Sequence, residues 1–255
     1  MRGALLEVEG LSKRFRGVTA SDNVQFDVRE GELHAIRGPN GAGKTTLINQ
    51  LAGEVLPDSG CIKFAGRDIT VLPTYRRSAL GLARSFQITS LFLDFTALDN
   101  VALAVQAHAG HSFRFWHNAR RDRQLREPAL AALKRVGLEG RRDILVSRLS
   151  HGEQRQLELA MALATEPRLL LLDEPMAGLG PKESHHMVAL LRELKGALTI
   201  LLIEHDMETV FSLAHRITVL VEGRAIASGA PATIRANPEV RRAYLGEEMA
   251  ELGRV

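Results

Sequence analysis

The sequence predicts an α/β protein whose core is interrupted by a helical insertion at roughly residues 90 to 165. Three observations carry that expectation. Leu169–Leu172 and Leu198–Ile203 are short, very apolar runs, as parallel strands covered on both faces are. Leu125, Ala129, Leu133 and Val136 fall at i, i+4, i+8 and i+11, one stripe of an amphipathic helix. A glycine-rich loop, residues 38–45, stands between a strand-like run and a helix-like run.

The elements follow in order. Residues 1 to 37 read as strands. Val24–Val28 alternates apolar and polar side chains, the period of a half-buried strand. Leu33–Ile36 is more continuously apolar and stops before Gly38, which reads as a buried strand. Thr45–Ala52 reads as a helix. The turn Pro57-Asp58-Ser59-Gly60 introduces a strand at Cys61–Phe64. From about residue 90 the pattern is helical, and Gly152–Ala164 gives a second clear helix. After Pro167 strand–helix alternation resumes, with Leu169–Leu172, Leu198–Ile203, Thr218–Val221 and Arg224–Ser228 as strands. There is no internal repeat and no low-complexity tract.

Composition bounds the function. The chain has 255 residues, 45% hydrophobic and 25% charged, so its core needs neither disulfides nor metals. With 33 Lys and Arg against 30 Asp and Glu, the net charge of +3 is too small to argue for nucleic acid. Cys61 is the lone cysteine, which fits a reducing compartment. The longest apolar run, Leu159–Ala164, has six residues, where a membrane span needs about 20. Ala4-Leu5-Leu6 ends at Glu7, too short for a signal peptide. The expectation is a protein neither inserted in a membrane nor exported.

Gly38-Pro39-Asn40-Gly41-Ala42-Gly43-Lys44-Thr45 matches the phosphate-loop pattern G-x-x-x-x-G-K-[ST]. Glycines let backbone N–H groups turn inward on phosphate oxygens, and the following helix aims its N-terminal dipole at the anion. Lys44 supplies a compact positive charge for the β and γ phosphates, and Thr45 a hydroxyl for Mg²⁺. The guanine-reading pattern Asn-Lys-x-Asp is absent, which lowers the GTPase reading.

Leu169–Leu172 delivers Asp173-Glu174 to a carboxyl strand end, the edge where open α/β sheets bind ligands. Asp173 suits Mg²⁺ and Glu174 a general base that polarises water. Leu198–Ile203 leads to Glu204-His205-Asp206, placing His205 to donate to the γ-phosphate. Leu82–Phe86 leads to Gln87, whose amide suits Mg²⁺ or the attacking water. Alone, His205 and Gln87 read as ordinary surface residues; one nucleotide would use all four strand ends. Leu149-Ser150-His151-Gly152-Glu153-Gln154 opens a helix, and locally Ser150 with Glu153 reads as a capping box.

Taken together, these motifs resemble the ATP-binding cassette (ABC) family over nearly the whole chain. The phosphate loop, Gln87, the Leu149–Gln154 signature, Asp173-Glu174 and His205 stand in that family's order. The resemblance implies a P-loop NTPase (RecA-like) core with an antiparallel β subdomain and an inserted α-helical subdomain. It implies a single domain over 1–255, with 1–89 and 166–255 forming the core and β subdomain and about 90–165 the helical subdomain. It implies ATP held by Phe15, whose ring stacks on adenine, and by Gly38, Pro39, Asn40, Gly41, Ala42, Gly43, Lys44, Thr45 and Thr46. Mg²⁺ falls to Thr45, Gln87 and Asp173. Glu174 matches the catalytic base, His205 the switch histidine, and Gln87 joins them. Two such cassettes pair head to tail, so Ser150, His151, Gly152 and Glu153 face the nucleotide of a partner. A core position is the alternative for Phe15. His151 and Glu153 depart from the commonest signature, and Gly180 stands where many cassettes have Asp.

Closer resemblance points to the longer ATPase subunit of branched-chain amino acid importers. It rests on Leu11–Phe15, Ala83–Gln87, Ala177-Gly178-Leu179, Asn237–Val240 and Tyr244–Glu247. It implies a second cassette subunit, identical or different, transmembrane permease subunits, and indirectly a periplasmic substrate-binding protein. It implies peripheral attachment at the cytoplasmic face of the inner (plasma) membrane, with no nucleic acid partner. Urea or amide importers share most of these features, and a non-transport ABC ATPase acting on nucleic acid or ribosomes is the rival from another class.

The segment His108–Arg126 is basic through Arg114, Arg120, Arg121, Arg123 and Arg126. A solvated helix face is preferred there over contact with anionic lipid. His108, His111 and His117 lack the Cys or paired spacing of a metal site. Leu91-Phe92-Leu93 reads equally as core or as the wall of a groove for a permease helix.

Overall fold

The computed structural model describes residues 3–85, 91–109 and 122–243. The chain begins with two 12-residue strands, β1 (Ala4–Phe15) and β2 (Val18–Arg29), paired as an antiparallel hairpin. Then come β3 (Leu33–Arg37), α1 (Lys44–Ala52), β4 (Ser59–Phe64), β5 (Arg67–Asp68), α2 (Thr74–Ala79) and β6 (Leu82–Arg84). The helical stretch supplies α3 (Ala97–His108), α4 (Arg123–Arg135) and α5 (His151–Leu163). The alternating remainder is β7 (Leu169–Asp173), α6 (Pro181–Leu194), β8 (Thr199–Ile203), α7 (Met207–Leu213), β9 (Arg216–Val221), β10 (Arg224–Gly229) and α8 (Pro231–Ala236).

Two sheets result. The first is antiparallel, in the order β2-β1-β4-β5. The second runs β10-β9-β3-β8-β7-β6, parallel throughout except for β10 at its edge. The strands expected at Val24–Val28 and Cys61–Phe64 are both longer than expected, because hydrogen bonding to β1 extends over residues that carry no apolar alternation.

The central strands are buried on both faces, and the reason is visible in β7. Leu170 and Leu172 enter one core with Leu33, Ala35, Ile200, Leu202 and the helical layer. Leu169 and Leu171 enter the other with α1 and the antiparallel sheet. Every residue of β7 and β8 is buried. Truncating one of these leucines to alanine costs about 2–5 kcal/mol, since the surroundings close only partly on the cavity.

The helical stripe holds. Leu125 is 4% exposed, and Ala129, Leu133 and Val136 are fully buried, where α4 packs on α3 and α5. Of the basic residues, Arg123 pairs with Glu127 one turn on, and Arg126 with Asp99 of α3 at 3.1 Å. Those two arginines are thus held by carboxylates of the helical layer itself. His111, Arg114, His117, Arg120 and Arg121 lie outside the described residues. α6 was not placed individually from sequence, yet its signal is there. Pro181 stands at the first helical position, and Met187, Leu190, Leu191 and Leu194 form the buried i, i+3, i+4, i+7 stripe.

Candidate functional site

Parallel pairing puts the carboxyl ends of β3, β8 and β7 side by side. Ile36 pairs with Ile203, and Asp173 with Ile203 on the other flank. The loop after β3, the acidic pair after β7 and the histidine after β8 therefore share one sheet edge.

The glycine loop is shaped by backbone contact. A Cβ on Gly38 would fall 2.0 Å from the carbonyl oxygen of Leu220, and one on Gly43 2.0 Å from that of Ala20. Gly43 also has φ +95°, a left-handed conformation that side-chain-bearing residues avoid. The loop is tied to the β9–β10 turn by the Gly223 N–H donating to Ala42 O at 3.0 Å. Lys44 opens α1 and is buried, its Nζ donating to the carbonyls of Gly38 at 2.6 Å and Pro39 at 2.8 Å. Asn40, Gly41 and Thr45 are exposed, Pro39 and Thr46 partly so, and Ala42 is buried. Phe15 ends β1 with 45% of its surface exposed and Lys13 Nζ 5.5 Å from its ring centre. It is not a core residue.

Asp173 is 3% exposed. Its Oδ2 accepts from Arg84 Nη2 at 3.2 Å, while Oδ1 is buried with no hydrogen-bond partner among the described residues. Burial pushes this carboxyl up, with Arg84 opposing. A buried, orphaned carboxylate oxygen is the donor a hard cation takes, and the exposed hydroxyl-bearing Thr45 is a second. Among the described residues no group of three or more His, Cys, Asp or Glu is placed to hold a metal alone. A cation here would share its shell with phosphates, the usual habit of Mg²⁺.

Glu174 turns away from the strand with φ +50°, its N–H donating to Ile203 O at 2.9 Å. Its Oε1 lies 2.5 Å from His205 Nε2. The Arg37 guanidinium reaches the His205 carbonyl. Gln87 lies outside the described residues, so Lys44, Asp173, Glu174 and His205 are the four brought together.

The signature forms the first turn of α5. Ser150 Oγ accepts from Glu153 N at 3.2 Å, and Glu153 Oε2 accepts from Ser150 N at 2.9 Å, the full capping box. Arg141 holds the other Glu153 oxygen at 2.8 Å. The space over the Gly152 Cα is filled by α6: a Cβ there would lie 2.5 Å from Glu183 Cδ. Glu183 is itself fixed, its Oε2 accepting from Gly180 N at 3.1 Å. That face of the Gly152 backbone is therefore covered by the Glu183 side chain, which a larger residue would have to displace. His151 Nε2 would be 3.3 Å from a Cβ on Gly178, so the signature turn also abuts the loop after the acidic pair.

Three residues that sequence reasoning did not single out shape this site. Arg84 joins Asp173 to Asn49 Oδ1 at 2.8 Å and Glu54 at 2.9 Å. Glu183 covers Gly152. Glu204 is 5% exposed and accepts from Met176 N at 2.9 Å and His205 N at 3.0 Å. Burial pushes the Glu204 carboxyl up, and those two N–H groups oppose it. Glu204 carried the same signal as Asp173, a carboxylate at the end of a buried strand.

A phosphate loop after the central strand, a buried carboxylate on a nearby strand end and a helical layer bearing a capped glycine turn define a nucleotide-binding cassette. Comparison with known proteins gives the family. A family model described as ABC transporter matches residues 21–177, and one described as branched-chain amino acid ATP-binding cassette transporter matches residues 226–250. The high-affinity branched-chain amino acid transport ATP-binding protein BraF of Pseudomonas aeruginosa is 41% identical over 254 residues, 97% of this chain and 100% of BraF. The ADP conformation of an ATP-binding cassette of an ABC transporter superposes with a TM-score of 0.84 at 29% identity, over 96% of this chain and 99% of that one. A dimeric cassette in a post-hydrolysis state, bound to ADP and phosphate, gives 0.76 at 25% identity, over 89% and 98%. The chain belongs to the ABC transporter family, as one of its ATP-binding cassettes.

Proposed function

We propose that this chain is the ATP-hydrolysing subunit of an importer for branched-chain or related amino acids, acting as one half of a cassette dimer. The observation that carries the reading is the convergence of Lys44, Asp173, Glu174 and His205 on one sheet edge. The full-length likeness to BraF supports the cargo class.

ATP enters along the exposed loop, with Phe15 stacking on adenine and residues 38–46 cradling the phosphates. Lys44 exchanges its two carbonyl partners for β- and γ-phosphate oxygens. Thr45, Gln87 and Asp173 would hold Mg²⁺, which would supply charge neutralisation on the phosphates when bound. Glu174 orients and polarises the attacking water, and His205 turns from Glu174 to donate to the γ-phosphate. Ser150, His151, Gly152 and Glu153 face the partner's nucleotide, so two ATP molecules close the dimer and hydrolysis reopens it. The dimeric post-hydrolysis cassette supports that arrangement.

No described helix is long and apolar enough to cross a membrane; the spans belong to permease subunits, with this chain peripheral at the cytoplasmic face of the inner membrane. An apolar groove of about 380 Å³ between α2, α3 and α5 includes Tyr75, Leu82, Leu91, Ala104 and Met161. Phe92 and Leu93 beside it are exposed, at 56% and 51%, which removes the core alternative for them. This groove receives a cytoplasmic permease helix. A periplasmic binding protein delivers the cargo from the far side.

The test is reconstitution with the permeases and binding protein in vesicles. ATP-driven uptake of labelled leucine supports the reading. ATP hydrolysis without uptake of any branched-chain amino acid overturns the cargo while leaving the cassette intact.

A further inference from the structure

Glu204 occupies the point where β7 and β8 part. The ladder between them ends with Asp173 paired to Ile203 and Glu174 N donating to Ile203 O. One residue further each chain turns away, and no strand hydrogen bonds remain to set their separation. The Glu204 carboxylate takes over there. One oxygen accepts from Met176 N, two residues past Glu174, and the other from the N–H of His205. Two loops that carry the acid and the histidine are thereby fixed to a single buried anion. A buried carboxylate is unfavourable unless its oxygens are satisfied. The described partners of Glu204 are backbone N–H groups, not a Lys or Arg. Burial pushes this carboxyl up, so joining two loops through it is costly, and the geometric result is that the loops carrying Glu174 and His205 both hydrogen-bond one side chain.

We propose that Glu204 is a positioning residue for ATP hydrolysis, holding the Glu174 and His205 loops in the register that the reacting water and γ-phosphate need. The inference rests on the roles given above to Glu174 and His205. A displacement of about 1 Å in such a pair lowers turnover by about a hundredfold, while the phosphate loop that binds ATP lies on another strand.

The experiment measures Mg-ATP turnover, KM and ATP affinity for the purified full chain as wild type, Glu204→Gln, Glu204→Ala and Glu174→Gln. We expect kcat to fall at least tenfold in Glu204→Ala, with KM and ATP affinity within about twofold of wild type. Glu204→Gln keeps the size and one acceptor, so it recovers part of the rate. A folded Glu204→Ala protein with wild-type kcat overturns the proposal. So does a parallel loss of kcat and ATP affinity in both variants, which is the mark of a merely structural role. If Glu204→Ala does not fold, Glu204→Gln decides alone: a lowered kcat at unchanged ATP affinity supports the proposal, and wild-type kinetics overturn it. If Glu174→Gln itself turns over like wild type, the underlying assignment of Glu174 fails, a result distinguishable from failure at Glu204.

Discussion

Glu174 Oε1 and His205 Nε2 meet at 2.5 Å across the ends of two adjacent parallel strands, although 31 residues separate them in the chain. Neither side chain is buried, so each is able to exchange the other for water or phosphate. In the proposed mechanism nucleotide binding separates these two groups.

Glu174→Gln keeps shape and removes the proposed base. Turnover should fall by about 10²–10⁴-fold, the usual contribution of a positioned general base, with ATP binding retained. Size-exclusion chromatography with ATP should then show accumulated dimer. Wild-type turnover would remove Glu174 from the mechanism.

Lys44→Ala leaves the loop carbonyls of Gly38 and Pro39 without their ammonium and the phosphates without a cation. ATP should no longer raise the melting temperature, whereas wild type gains about 2.7 kcal/mol at a hundredfold excess over Kd. Differential scanning fluorimetry with and without ATP reads this directly.

Ser150 serves the cap of α5 and, in the proposed dimer, the partner's γ-phosphate. Two variants separate those roles. Ser150→Ala should lose about 1 kcal/mol of stability with its cap. Ser150→Asp keeps a good cap and wild-type stability, but sets a carboxylate against phosphate and should abolish ATP-dependent dimerisation. Dimer formation by a stable Ser150→Asp protein would count against the head-to-tail arrangement.

Gly152→Ala forces a methyl group onto Glu183. The expected loss is up to about 1 kcal/mol, since Glu183 swings aside and gives up its hydrogen bond from Gly180 N. In a Glu183→Ala background most of that loss should be absent, and urea unfolding of both single variants and the double variant measures that coupling.

Acid stability should depend on Glu32, far from the strand ends proposed to bind nucleotide. Burial pushes its carboxyl up, but His34, Arg216 and the Arg29 N–H outweigh burial and bring it to about 2 from 4.5. A carboxylate whose pKa is lower in the folded than the unfolded chain stabilises above the unfolded value, and that contribution fades as pH falls through the folded one. Wild type should therefore be more stable than Glu32→Gln near pH 5, and the gap in urea midpoints should shrink toward pH 2.

Much of this was legible in the residues. The glycine loop, the apolar runs before Asp173 and His205, and the stripe through Leu125, Ala129, Leu133 and Val136 each carry their own periodicity or spacing. The capping box at Ser150 was readable for the same reason, since it is closed within four residues. For Gly152 only its place on the helix start was plain, and not that Glu183, 31 positions later, fills the space above it.

Local chemistry, then, was readable in the sequence: which segments bury both faces, where helices begin, and which side chains have the groups suited to phosphate, cation or water. Tertiary structure alone decided what those groups face. Strand order 9-3-8-7-6 set Lys44, Asp173, Glu174 and His205 on one edge. The parting of β7 from β8 turned Glu204 inward between two loops, and Arg84 came to hold Oδ2 of the Asp173 carboxylate, whose Oδ1 has no hydrogen-bond partner among the described residues. Hydrogen-bond partners across such distances depend on sheet order and helix packing, which no local pattern of residue types encodes.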